Sequence, residues 1–210
     1  MSRLSAARRN AREAGGQALV EFAVLVPAFM LILLSLLEFG LVFNNYLTVE
    51  YATREGARTG SAMANGGSPS NSAADSSLPL YAGDPATVDP YVIAAVERVL
   101  ESSGSPITPS LISAITITQL GTTNTNTWTY SKGAGPALDG KNLDFVQSGP
   151  TKWPDSARLN GTTPDSIVVS ISYTYKWVTP LASVMRFFGG TGAGQTTLSD
   201  TTTMALNPFQ

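Results

Sequence analysis

Residues 22–37 read Phe22-Ala23-Val24-Leu25-Val26-Pro27-Ala28-Phe29-Met30-Leu31-Ile32-Leu33-Leu34-Ser35-Leu36-Leu37, sixteen positions without a charge. Extending the run to Ala18 and Phe43 gives 26 residues interrupted only by Glu21 and Glu38. As a helix it would be roughly 39 Å long at 1.5 Å per residue, enough to cross a hydrocarbon core about 30 Å thick. The core helix of a soluble domain keeps a polar face, and residues 22–37 have none. The stretch predicts a membrane-spanning helix.

Charge sets its direction. Residues 1–16 carry Arg3, Arg8, Arg9 and Arg12 against Glu13, a net of +3. The whole chain of 210 residues has 13 basic and 15 acidic side chains, which leaves nine and fourteen for residues 17–210. A short basic head therefore precedes a mildly acidic body. On the far side of the apolar run, Arg54 and Arg58 are offset by Glu50 and Glu55. The basic side is the cytoplasmic one, so the chain beyond about Phe43 is expected to be exported. A cleaved secretory signal would have an apolar region of 7–15 residues with a small-x-small site close behind it. Here the run is longer, and the nearest candidate, Ala62-Met63-Ala64, lies far beyond its end. The helix is expected to be retained in a single-pass protein.

Just before the apolar run stands Gly15-Gly16-Gln17-Ala18-Leu19-Val20-Glu21-Phe22. Gly16 has no side chain, so a peptidase at the membrane surface could approach its backbone closely, and a glycine there is expected to fray the helix. Two readings fit: a processing site, or a flexible break before an uncleaved signal anchor. The spacing of Gly16, Glu21 and Phe22 at the mouth of a membrane helix resembles the class III signal of type IV pilin-like proteins. Residues 16–22 through Pro27, Glu38-Phe39-Gly40, and Ala52-Thr53-Arg54-Glu55-Gly56-Ala57-Arg58 together resemble the TadE-like family, pseudopilins of the tight-adherence (Flp) pilus system. The resemblance covers about residues 8–62. It implies cleavage between Gly16 and Gln17 by a prepilin peptidase, with Glu21 and Phe22 serving recognition or assembly. It also implies other pseudopilins or pilins as partners, a homo-oligomer among them, and an inner-membrane location before any incorporation into a pilus.

The carboxylates within the run need separate accounts. A charge at the bilayer centre costs about 2.5–3.5 kcal/mol, and less near an interface. The family resemblance implies that Glu21 pairs with the free amine of a neighbouring subunit, which after cleavage belongs to Gln17. Alternatively, Glu21 lies one turn inside the membrane and reaches the headgroups itself. Glu38 falls where the run meets the far interface and is expected to be a solvated, headgroup-level carboxylate. Pro27 cannot donate to residue 23 and is expected to kink or loosen the helix.

The helical pattern continues past the membrane. Phe43, Leu47 and Tyr51 recur every four residues, Glu50 and Arg54 form an i,i+4 pair, and Glu55 and Arg58 an i,i+3 pair. One helix is expected from about Gln17 to Ala62, ending before Asn65-Gly66-Gly67-Ser68-Pro69. Arg54, Glu55, Gly56 and Arg58 form a candidate helix contact surface, or a salt-bridged face packed on the head. The predicted organisation is a basic leader (1–16), a transmembrane helix (17–43), a helical stalk (44–63), a Gly/Ser/Asn-rich linker or surface loop (64–86) and an extracytoplasmic head (87–210). In the head, a helix capped by Thr87 or Asp89, with Pro90 in its first turn, buries Val92, Ala95, Val96, Val99 and Leu100 and stops by Gly104. Strands follow at 115–118 and 128–130 with a polar turn at 121–127. The clearest strand is 167–177, with Ile167, Val169, Ile171, Tyr173, Tyr175 and Trp177 on one face. Residues 180–188 form an apolar bridge to a last strand, about 195–206. The fold class is α+β, a long helix followed by a small antiparallel sheet with one or two packed helices.

The inventory argues against an enzyme. The chain has no cysteine and no histidine, so thiolate chemistry, the usual general base and the commonest metal ligand are missing. A net charge of −2 gives no general attraction to nucleic acid. The glycines at 189–194 lack both the dinucleotide register and a P-loop lysine and read as a turn. No serine-nucleophile signature occurs. Residues 139–144 lack the closing glutamate of an EF-hand, although a looser calcium site in the loops stays open. Asn160-Gly161-Thr162 reads as a sequon or an Asn-Gly turn. No cofactor is implied. A structural pilus component is the leading function, an adhesin or ligand-binding head on an uncleaved anchor the alternative, and an anchored hydrolase a distant third.

Overall fold

The computed structural model describes residues 2–63, 88–138, 140–159, 163–189 and 194–206. Helix α1 spans Ser2–Met63 and helix α2 Val88–Leu100. Strands β1 (Ile112–Gln119), β2 (Thr125–Tyr130), β3 (Ala137–Leu138), β4 (Lys141–Asn142), β5 (Phe145–Ser148) and β6 (Ser166–Lys176) follow. Helix α3 (Leu181–Gly189) then separates β6 from β7 (Gln195–Ala205). The expected α+β architecture is present, a long N-terminal helix and then an antiparallel sheet with two further helices. The chain divides into two units: Met1–Leu41 with Lys176–Gln195, and Val42–Tyr175 with Thr196–Gln210. The predicted linker, the sequon and the centre of the glycine cluster (190–193) lie outside the described residues.

The second unit is built on a five-stranded sheet in the order β5-β2-β1-β6-β7. Strands β1 and β6 pair antiparallel with Ile115 opposite Ile171 and Ile117 opposite Val169, so the fully buried side chains of both fall on one face. Trp128 on β2 and Phe145 on β5 extend that face. The opposite face is hydroxyl-rich: Thr116 lies across from Ser170, and Thr118 hydrogen-bonds Thr125 at 3.0 Å. Alternation along β6 follows the predicted pattern up to Tyr175, and Trp177 lies past the strand end. The β1–β2 turn is tighter than expected, with Gly121 at φ +78° allowing β2 to begin at Thr125. Strand β5 and the β3–β4 hairpin were not foreseen.

The apolar face is covered by α2 and the second half of α1. From Val49 onward the buried positions on α1 are Val49, Ala52, Thr53, Gly56, Ala57, Gly60 and Met63, a stripe at helical spacing. Phe43, Leu47 and Tyr51, the stripe visible in the sequence, are exposed instead. Gly56 permits the contact, since a Cβ there would lie 2.7 Å from Val96 Cγ2 on α2 and 3.4 Å from Val169 Cγ1 on β6. A Cβ on Gly60 would overlap Ile167 and touch Val92. Edge strand β7 is pinned to α1 by hydroxyls. Thr53 bonds Asp200 and, at 3.1 Å, Thr202, while Ser61 donates to the Ala205 carbonyl.

Helix α2 starts differently from the sequence expectation. Thr87 lies outside the described residues, and Asp89 sits within the first turn instead of capping it. The Val88 amide donates to Asp155 Oδ2 at 2.8 Å, so the capping acceptor comes from 67 residues away. Asp89 instead receives Arg158 and the Asn126 amide. The Arg158 guanidinium is fully buried, 3.0 Å from Asp155 and stacked 4.5 Å from the Trp153 ring. This cluster locks the 150–159 loop to α2 and β2. Ile93 is buried in place of the predicted Val99.

Glu97 is 3% exposed and accepts the Asp144 and Phe145 amides at 2.7 and 3.1 Å. Burial outweighs those bonds and raises its pKa from 4.5 to about 7. An acid raised on folding contributes stability that is complete below its unfolded pKa and lost as pH rises through the folded value. Stability should therefore fall between pH 4.5 and about 7, by up to roughly 1.4 kcal/mol per pH unit. Glu97→Gln, which keeps a carbonyl acceptor, should flatten that slope in thermal melts of the full chain at pH 5 and pH 8. Gly56→Leu should cost about 1–3 kcal/mol by overpacking, read as a lower urea midpoint in detergent micelles.

Candidate functional site

Within the first unit, α1 is continuous through Gly15 and Gly16. The expected fraying at Gly16 and a helix start near Gln17 are thus not observed; the helix begins at Ser2, and Pro27 lies inside it. Its C-terminal end, Met63, is within a residue of the expected one. The Gln17–Met63 portion is the one helix among the described residues long and apolar enough to cross a membrane. Its most apolar 18-residue window has no share buried within the protein. Leu19, Phe22, Val24, Leu25, Ile32 and Leu36 are all about two-thirds exposed, on every side of the helix. Such a surface has a low free energy only against lipid or another apolar protein.

At the N-terminal end of this surface, Gln17 Nε2 donates to Glu21 Oε1 at 3.0 Å across one helical turn. Both side chains are exposed, and Phe22 beside them is 67% exposed. Glu38, at the other end, is the opposite of the solvated carboxylate expected. It is 3% exposed, and it accepts the Val178 amide at Oε1 (3.1 Å) and the Thr179 amide at Oε2 (2.9 Å). The reason is topological. The segment after β6 presents two successive backbone N–H groups that no strand pairs, and a carboxylate satisfies both. Sequence inspection offered no signal for a contact spanning 140 residues.

The 52–58 motif belongs to the second unit and splits between two faces. Ala52, Thr53, Gly56 and Ala57 point into the head, whereas Arg54 and Arg58 have side chains 62% and 67% exposed. Arg54 pairs with Glu50, and Arg58 grips Glu55 with two bonds of 2.9 and 2.6 Å. The Arg58 bond lowers the Glu55 pKa, so the pair is ionised at neutral pH. Exposed pairs of this kind contribute little to stability. Glu55 also lines an open groove of about 510 Å³, with Leu47 and Tyr51 of α1 and Arg98 and Val99 of α2. Asp144 Oδ1 is occupied by the Gly133 amide at 2.7 Å. Asp139 lies outside the described residues.

A family model described as TadE-like protein matches residues 16–58, 43 of the 210 residues. That segment is similar to the TadE-like family. No curated protein and no solved structure matches the chain. The TadE-like match begins on Gly16 and ends on Arg58, so it takes in the Gln17–Glu21 turn, the outward apolar surface, Glu38 and the Gly56 contact. The candidate membrane helix fits a single-pass membrane protein.

Replacing Glu38 by Leu would leave the Val178 and Thr179 amides without their acceptor. Losing a hydrogen bond to a charged group costs about 1.5–3 kcal/mol. Hydrogen exchange at those two amides should accelerate by roughly tenfold or more, with exchange across β1 and β6 unchanged.

Proposed function

We propose that this protein is a single-pass, pseudopilin-like component of a tight-adherence pilus or a related secretion machine. Its arginine-bearing end faces the cytoplasm, the residues beyond about Phe43 are extracytoplasmic, and α1 crosses the inner membrane. A prepilin peptidase cuts between Gly16 and Gln17, Glu21 and Phe22 mark the site, and the freed helix assembles laterally with other pseudopilins, pilins or further copies of this chain. The observation that carries this reading is the all-round apolar exposure of α1 directly behind the glycine at which the TadE-like match starts. A helix with no face buried in its own protein has its packing partners elsewhere.

Glu21 fits the same scheme. In the uncut chain it has a neutral amide partner, Gln17 Nε2, on its own helix. Cleavage would create a charged amine at Gln17. Intermolecular pairing of that amine with a neighbour's Glu21 would neutralise two charges at the membrane edge, a gain the intrahelical contact does not offer. Arg54 and Arg58, projecting from the stalk, supply a charged rim for subunit register.

Mass spectrometry of the membrane-extracted protein tests the reading. We expect a mature chain beginning at Gln17 and accumulation of the full-length form in Gly16→Ala. An intact N-terminus in the native protein would overturn processing and favour a plain signal anchor carrying an adhesin-like head. Glu21→Gln should be cut normally yet lose cross-linking to neighbouring subunits by about tenfold, the loss of one charge pair; unchanged cross-linking would remove the pairing.

A further inference from the structure

The connection between β6 and β7 is more than a turn. We propose that it is a second membrane contact, with helix α3 lying in the lipid headgroup–acyl boundary where α1 leaves the bilayer. The proposal rests on the reading of α1 as a membrane span.

Depth comes first. Glu38 lies 21 residues beyond Gln17, about 32 Å along a helix, so it reaches the far boundary of a core about 30 Å thick. Its carboxylate holds the Val178 and Thr179 amides, which fixes those residues at the same level. Leu181, the first residue of α3, follows two positions later, and the whole helix is nine residues, roughly 13 Å. Helix α3 therefore has no length to leave the boundary region.

Its surface suits that place. Gly194 packs against the helix side carrying Ala182 and Arg186, its Cβ direction pointing 3.4 Å from Ala182 Cβ and 3.1 Å from Arg186 Nε. Leu181, Val184, Met185 and Phe187 spread over the rest of the helix, within an arc of roughly 160° at 3.6 residues per turn. Met185 is 40% exposed, Phe187 84%, and Val178 just before the helix 74%. In water this is a poor arrangement for three large apolar groups within one ten-residue stretch. At a bilayer surface it is the amphipathic pattern that inserts by one face. Charge agrees: residues 176–195 contain Lys176 and Arg186 and no acid, whereas the rest of the chain beyond Phe43 is net acidic. A basic interfacial segment suits anionic headgroups.

The chain has no cysteine, so single spin labels can be placed uniquely. Labels at Val178, Met185 and Phe187 (each substituted, as in Met185→Cys) would be compared with Leu33→Cys in the span and Thr122→Cys in the head. The full chain would be reconstituted in phosphatidylethanolamine–phosphatidylglycerol vesicles. Collision with oxygen, enriched in lipid, and with a water-soluble nickel chelate reads depth. We expect the three labels to shift from the Thr122 value most of the way towards Leu33. A lipid-like Leu33 with water-like labels at 178, 185 and 187 overturns this inference and leaves the span intact. Labels shielded from both reagents mean that protein covers α3, which also overturns it. A water-like Leu33 overturns the span itself. Glu38→Leu should move the Met185 label towards water; no movement would show that Glu38 does not hold the segment in place.

Discussion

Apolar side chains in α1 must find a medium other than water, and the helix finds two. Up to Leu37 they project on all sides, with none of the most apolar window buried by the protein itself. From Val49 to Met63 one stripe of the same helix is buried against α2 and β6. The change is written in residue size. Leu, Ile and Phe dominate the first part, which no fixed partner within the protein covers. Ala, Gly and Thr occupy the buried stripe of the second, where a folded partner of fixed shape has to fit. An unbroken backbone joins these regimes, since helical hydrogen bonds are satisfied within the segment in either medium.

Glu38 marks the end of the first regime. A carboxylate there would be costly if left bare, and the two amides it accepts give the carboxylate and an unpaired stretch of backbone one common solution. The same economy recurs in the head. Asp155 caps α2, Glu97 closes the approach to β5, and Asp89 and Arg158 neutralise one another beside Trp153. Four buried carboxylates thus fasten loops to helices in a chain that has no disulfide to do so.

Much of this was legible in sequence because it is periodic. The long apolar helix announced itself by length and lack of charge, and β6 by strict alternation from Ile167 to Tyr175. The TadE-like segment was readable because its marks, Gly16, Glu21, Glu38 and the 52–58 motif, lie on one continuous helix. Other elements were hidden for physical reasons. Helix α3, at nine residues between Pro180 and the glycines, is too short for its helical period to stand out. Strand β5 has only four residues, and its place is set by pairing with β2. Phe43, Leu47 and Tyr51 carried the helical period onward but are exposed, whereas the buried stripe includes Gly56, one of the residues the sequence marks as a candidate contact surface. Glu38 and Asp155 find partners 140 and 67 residues away, beyond what local pattern can encode.

We propose that α1 crosses a membrane and that the residues beyond about Phe43 lie on the side opposite the arginines. A membrane-impermeant maleimide applied to Thr122→Cys in right-side-out and inverted membrane vesicles, each washed with alkaline carbonate, tests it directly. The expected result is a carbonate-resistant protein labelled in right-side-out vesicles and protected in inverted ones until detergent is added. Labelling confined to inverted vesicles, or release of the chain by carbonate, would contradict it.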